Sequence, residues 1–416
     1  MELGKFSLGM GDRFGHQALA QLRAIEKARK CGIEITPVWN KSNREHSIIH
    51  TTPADTWNAV NEAIKNFNWT SPFFVDADHI NLSNVDKFIE SSNFFTIDVA
   101  DYIGKEAEKD KIADFVSENI QYCDKEIQLG HGFAVSITTS ELRVIAENYL
   151  YAAIEAGKIY RHIEVRKGAG NFITEVSMDE VDTPQSPLEL FFILNMLARE
   201  GVPVQTIAPR FSGRFNKGVD YVGDVQQFDK EFELSLLVIE LAIKEFKHNP
   251  NLKLSVHSGS DKFSIYPAIK KHLKKYDKGI HVKTAGTTWL EEVIGLALAG
   301  EEPLKLAKTI YTEALSRMDE LCGPYASVID IDKAKLPDEN EVQQWSSEKF
   351  VNTLRHIPGH PDYNPNLRQL IHVGYKIAVE HGTDYYRCLE KYPDIIGQQV
   401  FENIYDRHLC RLFDIG

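Results

Sequence analysis

Short runs of β-branched and aromatic residues alternate with amphipathic stretches through the first 300 residues, and this rhythm constrains the fold more than any other feature of the chain. Each run is long enough for one strand and each stretch for one covering helix, the pattern of βα units around a parallel sheet. Strands are expected at Lys5–Gly9, Ile33–Val38, Phe73–Val75, Phe94–Val99, Asn171–Val176, Val204–Ala208, Lys253–Val256 and Ile280–Thr284. Helices are expected at Gln17–Lys30, Thr56–Phe67, Val85–Ser91, Glu141–Gly157, Pro187–Arg199, Asp229–Lys247, Ala268–Tyr276 and Trp289–Ala299. Eight strands, each followed by a helix, match the size and rhythm of a closed (β/α)8 TIM barrel, an α/β fold.

One helix start is marked in detail. Ser186-Pro-Leu-Glu189 supplies a capping serine, a proline in the first turn and a glutamate three residues beyond the cap. The segment 101–170 is too long for one connection and must hold an insertion. Beyond Gly300 the strand signal stops. Residues 301–416 show helical patterns broken by clusters such as Ile357-Pro-Gly-His-Pro-Asp-Tyr-Asn-Pro365, and they are too apolar for a tail. The expected organisation is a barrel over 1–300 and a C-terminal helical extension over 301–416 packed on it. An open doubly wound sheet is the rival architecture, but Gly9-Met-Gly-Asp-Arg-Phe-Gly15 does not match the glycine-rich phosphate turn that such a sheet usually carries.

A formal charge of −13 argues against nucleic acid or an anionic membrane as partner, since both need a dense basic face. Five scattered cysteines, odd in number and without a C-x-x-C pair, fit reduced thiols in a cytoplasmic protein. The amino terminus lacks the layout of a signal peptide, and no stretch is long and apolar enough to span a bilayer. The expected partner is a small molecule; a homo-oligomer is compatible with the sequence.

In a barrel of this kind, chemistry gathers at the carboxyl ends of the strands. Those ends are crowded with ionisable groups: Asp12 and Arg13; Asp76, Asp78 and His79; Glu175 and then Asp179; Arg210 and Arg214; the run His257-Ser-Gly-Ser-Asp-Lys262; and Lys283. Burying so many charges around one mouth is costly unless they pair or hold a metal. His79, Glu175 and His257 arise from the third, fifth and seventh strands and can converge on one divalent cation, Zn²⁺, Mn²⁺ or Fe²⁺. Taken alone, a histidine is more often a solvated or hydrogen-bonded loop residue, but His79 and His257 each directly follow an apolar strand run. Asp78 is a base, a ligand or a helix cap; Asp12, Glu175 and Lys262 are the other acid–base candidates. Arg210 offers a planar fork to a substrate carboxylate, and Lys283 either joins it, sits in a structural ion pair or forms a Schiff base. Arg13 and Ser258 complete the expected substrate-binding set. His281, at the start of its strand, is expected to be structural.

At these residues the chain resembles the tagaturonate epimerase family. The resemblance is carried by Gly11-Asp-Arg-Phe-Gly15, Val75-Asp-Ala-Asp-His79, Gly168-Ala-Gly-Asn-Phe172 with Thr174-Glu-Val-Ser177, Ile207-Ala-Pro-Arg-Phe211, Ser255-Val-His-Ser-Gly-Ser-Asp-Lys262 and His281-Val-Lys-Thr-Ala-Gly-Thr287. Each segment is short, and their order along the chain gives the set its specificity. The resemblance implies a divalent metal, no organic cofactor, a small hexuronate substrate and interconversion of D-tagaturonate with D-fructuronate. Two rivals remain: a barrel aldolase or aldose–ketose isomerase with the same ligands, and a sugar-acid-binding barrel without catalysis.

Overall fold

The structure is a computed structural model describing residues 1–284 and 286–415. Strands β1 (Phe6–Met10), β2 (Ile35–Ser42), β3 (Phe74–Ile80) and β4 (Phe94–Asp98) are followed by a hairpin, β5 (Glu126–Gly130) and β6 (Phe133–Ser136). Then come β7 (Ile173–Ser177), β8 (Thr206–Ala208), β9 (Lys253–His257) and β10 (Ile280–Lys283). Without the hairpin, eight strands close in the order β1-β2-β3-β4-β7-β8-β9-β10 and back to β1. Every pair in the barrel is parallel. All eight expected strands are present, with ends shifted by a few residues.

The covering helices include α1 (Ala18–Lys30), α2 (Asn43–Ile49), α3 (Pro53–Phe67), α4 (Lys109–Asn119), α5 (Thr139–Lys167), α6 (Pro187–Arg199), α7 (Val225–Phe246), α8 (Tyr266–Tyr276) and α9 (Thr287–Leu298). The marked start of α6 is a reciprocal capping box, with Glu189 N donating to Ser186 Oγ at 3.2 Å and Ser186 N to Glu189 Oε2 at 2.6 Å. One helix expectation fails. Val85–Ser91 is two short 3-10 turns, and α5, which extends to Lys167, is the helix that leads into β7. The inserted segment contains α4 and the β5–β6 hairpin.

The barrel interior is layered. Leu3, Val38, Phe74, Phe94 and Ile173 form a small apolar floor. Above it the register sets Thr96 beside Glu175 and His257 beside Lys283, so the next layers are polar. Helices from Glu301 onward share a second buried cluster with α9, including Trp289, Tyr311, Phe350, Leu370 and Tyr385. Asp261, fully buried after β9, is the main polar tie between barrel and extension. It accepts from Arg368 Nη2 at 2.8 Å, and His408 Nε2 and Asn403 Nδ2 lie at 3.0 and 3.2 Å.

Candidate active site

The cavity at the carboxyl ends of the strands has two lobes, about 320 and 270 Å³, which share Arg44, Asp78, His79, Glu180, Lys217, Gly259 and Tyr325. At its base Lys283 Nζ, 3% exposed as a residue, lies 2.8 Å from Asp76, 2.9 Å from Asp78 and 2.8 Å from Glu175. Burial opposes that ammonium, but the three carboxylates hold it well above its ordinary pKa. Burial and crowding among like charges push Asp76 up to about 7, even with Lys283 beside it. Burial acts the same way on Asp78 and Glu175, yet Lys283 and the neighbouring imidazoles hold both well below the usual carboxylate range.

Two adjacent residues of β3 reach the mouth because the strand is irregular there. Its register against β4 shifts between Ala77 and Ile80, and His79 adopts φ +53°. A regular strand would send Asp78 and His79 to opposite faces; the bulge turns both to the cavity. His79 Nδ1 lies 3.0 Å from Asp78 Oδ1 and its Nε2 3.3 Å from Asp179 Oδ1. His257 Nε2 lies 2.8 Å from Glu175 Oε1 and its Nδ1 3.2 Å from the same Asp179 oxygen. Although burial disfavours charge on these rings, Asp78 and Asp179 raise His79, and Asp179 and Glu175 raise His257 to about 9.

His79, Asp179 and His257 each offer a ligand atom, all within 4.8 Å of one another, a spacing that suits one divalent ion. The surrounding chemistry fits a metal. The second nitrogen of each imidazole faces a carboxylate, Asp78 or Glu175, the arrangement that orients metal-bound histidines. His257 Nδ1 is also buried without a well-aligned hydrogen bond. The geometry therefore puts Asp179 where the sequence reading has Glu175. Glu175 lies one layer deeper, accepting from Thr96 Oγ1 and Thr206 Oγ1 and pairing with Lys283 and His257.

Several expected site residues have other duties. Asp12 caps α1: its Oδ1 accepts from the Gly15 and His16 amides at 2.9 and 3.2 Å, and its Oδ2 from Gln17 and Ala18 at 2.8 and 3.0 Å. With four amide contacts it has no free lone pair for acid–base work. Lys262 is fully buried, donating to Asn216 O, Val219 O and Ser260 Oγ, and burial brings it down to about 7. It braces the loop after β8 and does not line the cavity. Ser258 Oγ donates to Lys283 O at 2.7 Å and is likewise structural. Arg13 lines one lobe, but its Nε is 2.6 Å from Glu45 and its guanidinium lies 4.2 Å above Tyr375. Lys283 is the ion-pair hub rather than a free cation. Arg210 does line the cavity, with Nη2 donating to Gly213 O at 3.3 Å. His281 is buried as expected, beside Ser7 Oγ at 2.8 Å, and burial holds it down to about 3.

Sequence reasoning missed Asn40, Arg44, Lys217, Tyr325 and His372 as lining residues. Asn40 and Arg44 had a signal: β2 runs four residues past its expected end, and the capping box Ser42–Glu45 starts α2 at its mouth. Tyr325 and His372 come from the extension and carried none.

A closed parallel barrel with a His–Asp–His cluster above a buried lysine–carboxylate hub, at its C-terminal mouth, has the architecture of a TIM-barrel enzyme. Residues 1–412 match the tagaturonate epimerase family, and the chain belongs to that family. It is 29% identical, over 97% of its length and 80% of the relative's, to the tagaturonate/fructuronate epimerase of Thermotoga maritima. Two glycerol-bound crystal structures of the fructuronate–tagaturonate epimerase UxaE of Cohnella laeviribosi share its fold. Their TM-scores are 0.82 and 0.81 at 23% and 24% identity, covering 99% of this chain and 82% of theirs.

Proposed function

We propose that this chain is a divalent-metal-dependent epimerase that interconverts D-tagaturonate and D-fructuronate by retro-aldol cleavage and re-addition. The observation that carries the reading is the convergence of His79, Asp179 and His257 beside Asp78 in the cavity of a chain belonging to this family. The two hexuronates differ at a carbinol carbon β to the ketone. Its hydrogen is not acidic, so direct enolisation cannot invert it.

Asp78, ionised and lining both lobes, accepts the carbinol hydroxyl proton. The carbon–carbon bond between that carbinol and its neighbour then breaks, giving an aldehyde and an enediolate. The aldehyde turns, the enediolate carbon attacks its other face, and Asp78 returns the proton to the new alkoxide. Lys283, 2.9 Å from Asp78, keeps that carboxylate in place and offsets charge in the low-dielectric mouth. A divalent ion bound by His79, Asp179 and His257 supplies Lewis-acid stabilisation of the developing negative charge. Glu175 orients His257, and Arg210 donates to the sugar from the cavity wall. No organic cofactor takes part. The five cysteines are free thiols, and no helix among the described residues is long and apolar enough to cross a membrane, which supports action in the reducing cytoplasm.

The test is incubation with each hexuronate in heavy water, followed by NMR. Each should give the other, with no deuterium at the inverted carbon, because that hydrogen never leaves. Deuterium accumulating there in step with turnover would overturn the retro-aldol route. Free fragments in place of epimer would make the enzyme an aldolase.

A further inference from the structure

The helical extension contributes a side chain to the cavity that the mechanism above does not use. His372 is 2% exposed and lines the inner lobe, and its Nε2 has no hydrogen-bond partner among the described residues. An unpaired ring nitrogen buried this deeply is costly unless a ligand meets it. The wall around it is shaped by two glycines. A Cβ on Gly286 would fall 2.1 Å from His372 Nε2 and 2.7 Å from Gly259 O, while one on Gly259, at φ +65°, would lie 3.8 Å from Lys217 Nζ. The Gly286 amide donates to Gly259 O at 3.0 Å, fixing that corner. Lys217 and His372 thus flank a stretch of bare backbone.

Two cations at this lobe have no carboxylate partner among the described residues. Lys217 is half-buried and lines both lobes. Arg44 lines both too, its guanidinium 5.0 Å over the Tyr325 ring. The lobe's carboxylates are mostly engaged: Glu45 holds Arg13, Asp78 holds Lys283 and His79, and Asp98 accepts the Ala100 amide at 2.9 Å. Glu180 is exposed at the rim. Burial, then the charges of Arg13 and Lys217, keep His372 neutral, so one ring nitrogen carries a proton to donate. The outer lobe differs. There Arg210 shares the wall with Asp179 and Asp182, neither of which lines the inner lobe, a setting suited to sugar hydroxyls rather than a second anion.

We infer that Lys217, Arg44 and His372 form the subsite that receives the carboxylate of the sugar acid, so that the C-terminal extension helps set selectivity for acidic over neutral sugars. This assignment rests on the hexuronate reading above. Lys217 and Arg44 supply charge-assisted hydrogen bonds and His372 a neutral donor from the floor. The reacting carbons then lie toward Asp78 and His79, which line both lobes.

The test uses the full chain. Lys217→Met should raise KM for D-tagaturonate at least tenfold while kcat changes much less. The ratio of kcat/KM for D-tagaturonate to that for the neutral ketohexose with a primary alcohol in place of the carboxylate should fall by the same factor. His372→Leu should act in the same direction, whereas His372→Gln, which keeps an N–H, should retain most of the affinity, and Lys217→Arg should rescue. Titration calorimetry with D-gluconate reads the subsite without turnover: binding to the parent chain should be lost in Lys217→Met. A folded Lys217→Met chain with unchanged KM, or with unchanged gluconate binding, would overturn the assignment while the epimerase reading stands. A parent chain inactive on both hexuronates removes that reading instead, and the gluconate titration then decides the subsite alone.

Discussion

Replacing Lys283 with methionine removes one ammonium from a nest of three carboxylates and leaves a side chain of similar length. Lys283 Nζ lies 2.8 Å from Asp76 and Glu175, both out of contact with bulk water, and 2.9 Å from Asp78, which borders the cavity. Breaking one buried pair costs about 3–5 kcal/mol, because a charge is left uncompensated. Three contacts do not triple that figure. Asp76 already sits near 7 and protonates once the lysine is gone, while Asp78 keeps His79 and Glu175 keeps His257. The expected loss is therefore that of roughly one unpaired buried charge, about 3–5 kcal/mol. For a chain of 416 residues the unfolding entropy is roughly 0.9 kcal/mol per kelvin, so the melting temperature should fall by about 3–6 °C. Calorimetric melting of both proteins at neutral pH measures it, and epimerase turnover should disappear in the variant as Asp78 loses its anchor. A midpoint within 1 °C of the parent would refute the reasoning, since it would mean that the three carboxylates do not depend on Lys283.

Three further outcomes follow from the same contacts. Asp179→Asn should lower bound divalent metal, read by elemental analysis, more than Glu175→Gln does; the reverse order would return Glu175 to the ligand set. Asp261→Asn leaves Arg368, which is fully buried, without its 2.8 Å partner and should cost about 3–5 kcal/mol. Limited proteolysis should then cut the extension first, and an unchanged digestion pattern would count against Asp261 as the tie. Burial, and then Asp12, raise Glu292 to about 8, and its Oε2 accepts from Tyr385 at 2.9 Å. The folded chain therefore holds a proton that the unfolded chain has lost between pH 4.5 and 8, and this group's contribution to stability falls as pH rises through that window. Glu292→Gln should flatten the decline, and parallel melting curves for the two proteins would contradict the shift.

The sequence alone determined the eight strands, the helix capped by Ser186 and the two histidines of the cluster. All of these are local signals: alternation with a period of 2 or 3.6, a cap three residues from its glutamate, a polar residue directly after an apolar run. Depth was not legible. Glu175 lies within β7 and Asp179 two residues past its end, at even spacing, and both face the inside of the barrel. Which one meets His79 and His257 depends on the stagger between neighbouring strands, a property of the closed barrel rather than of any one strand. Asp12 and Lys262 look catalytic by position, but the first is used by the turn beneath it and the second by the loop after β8. Nothing near His372 or Asp261 marks them as neighbours of the mouth and of the extension. Asp261's partners Arg368 and His408 lie 107 and 147 residues away, and only the packing of the last helices against the barrel brings them within hydrogen-bond reach and sets His372 in the cavity wall.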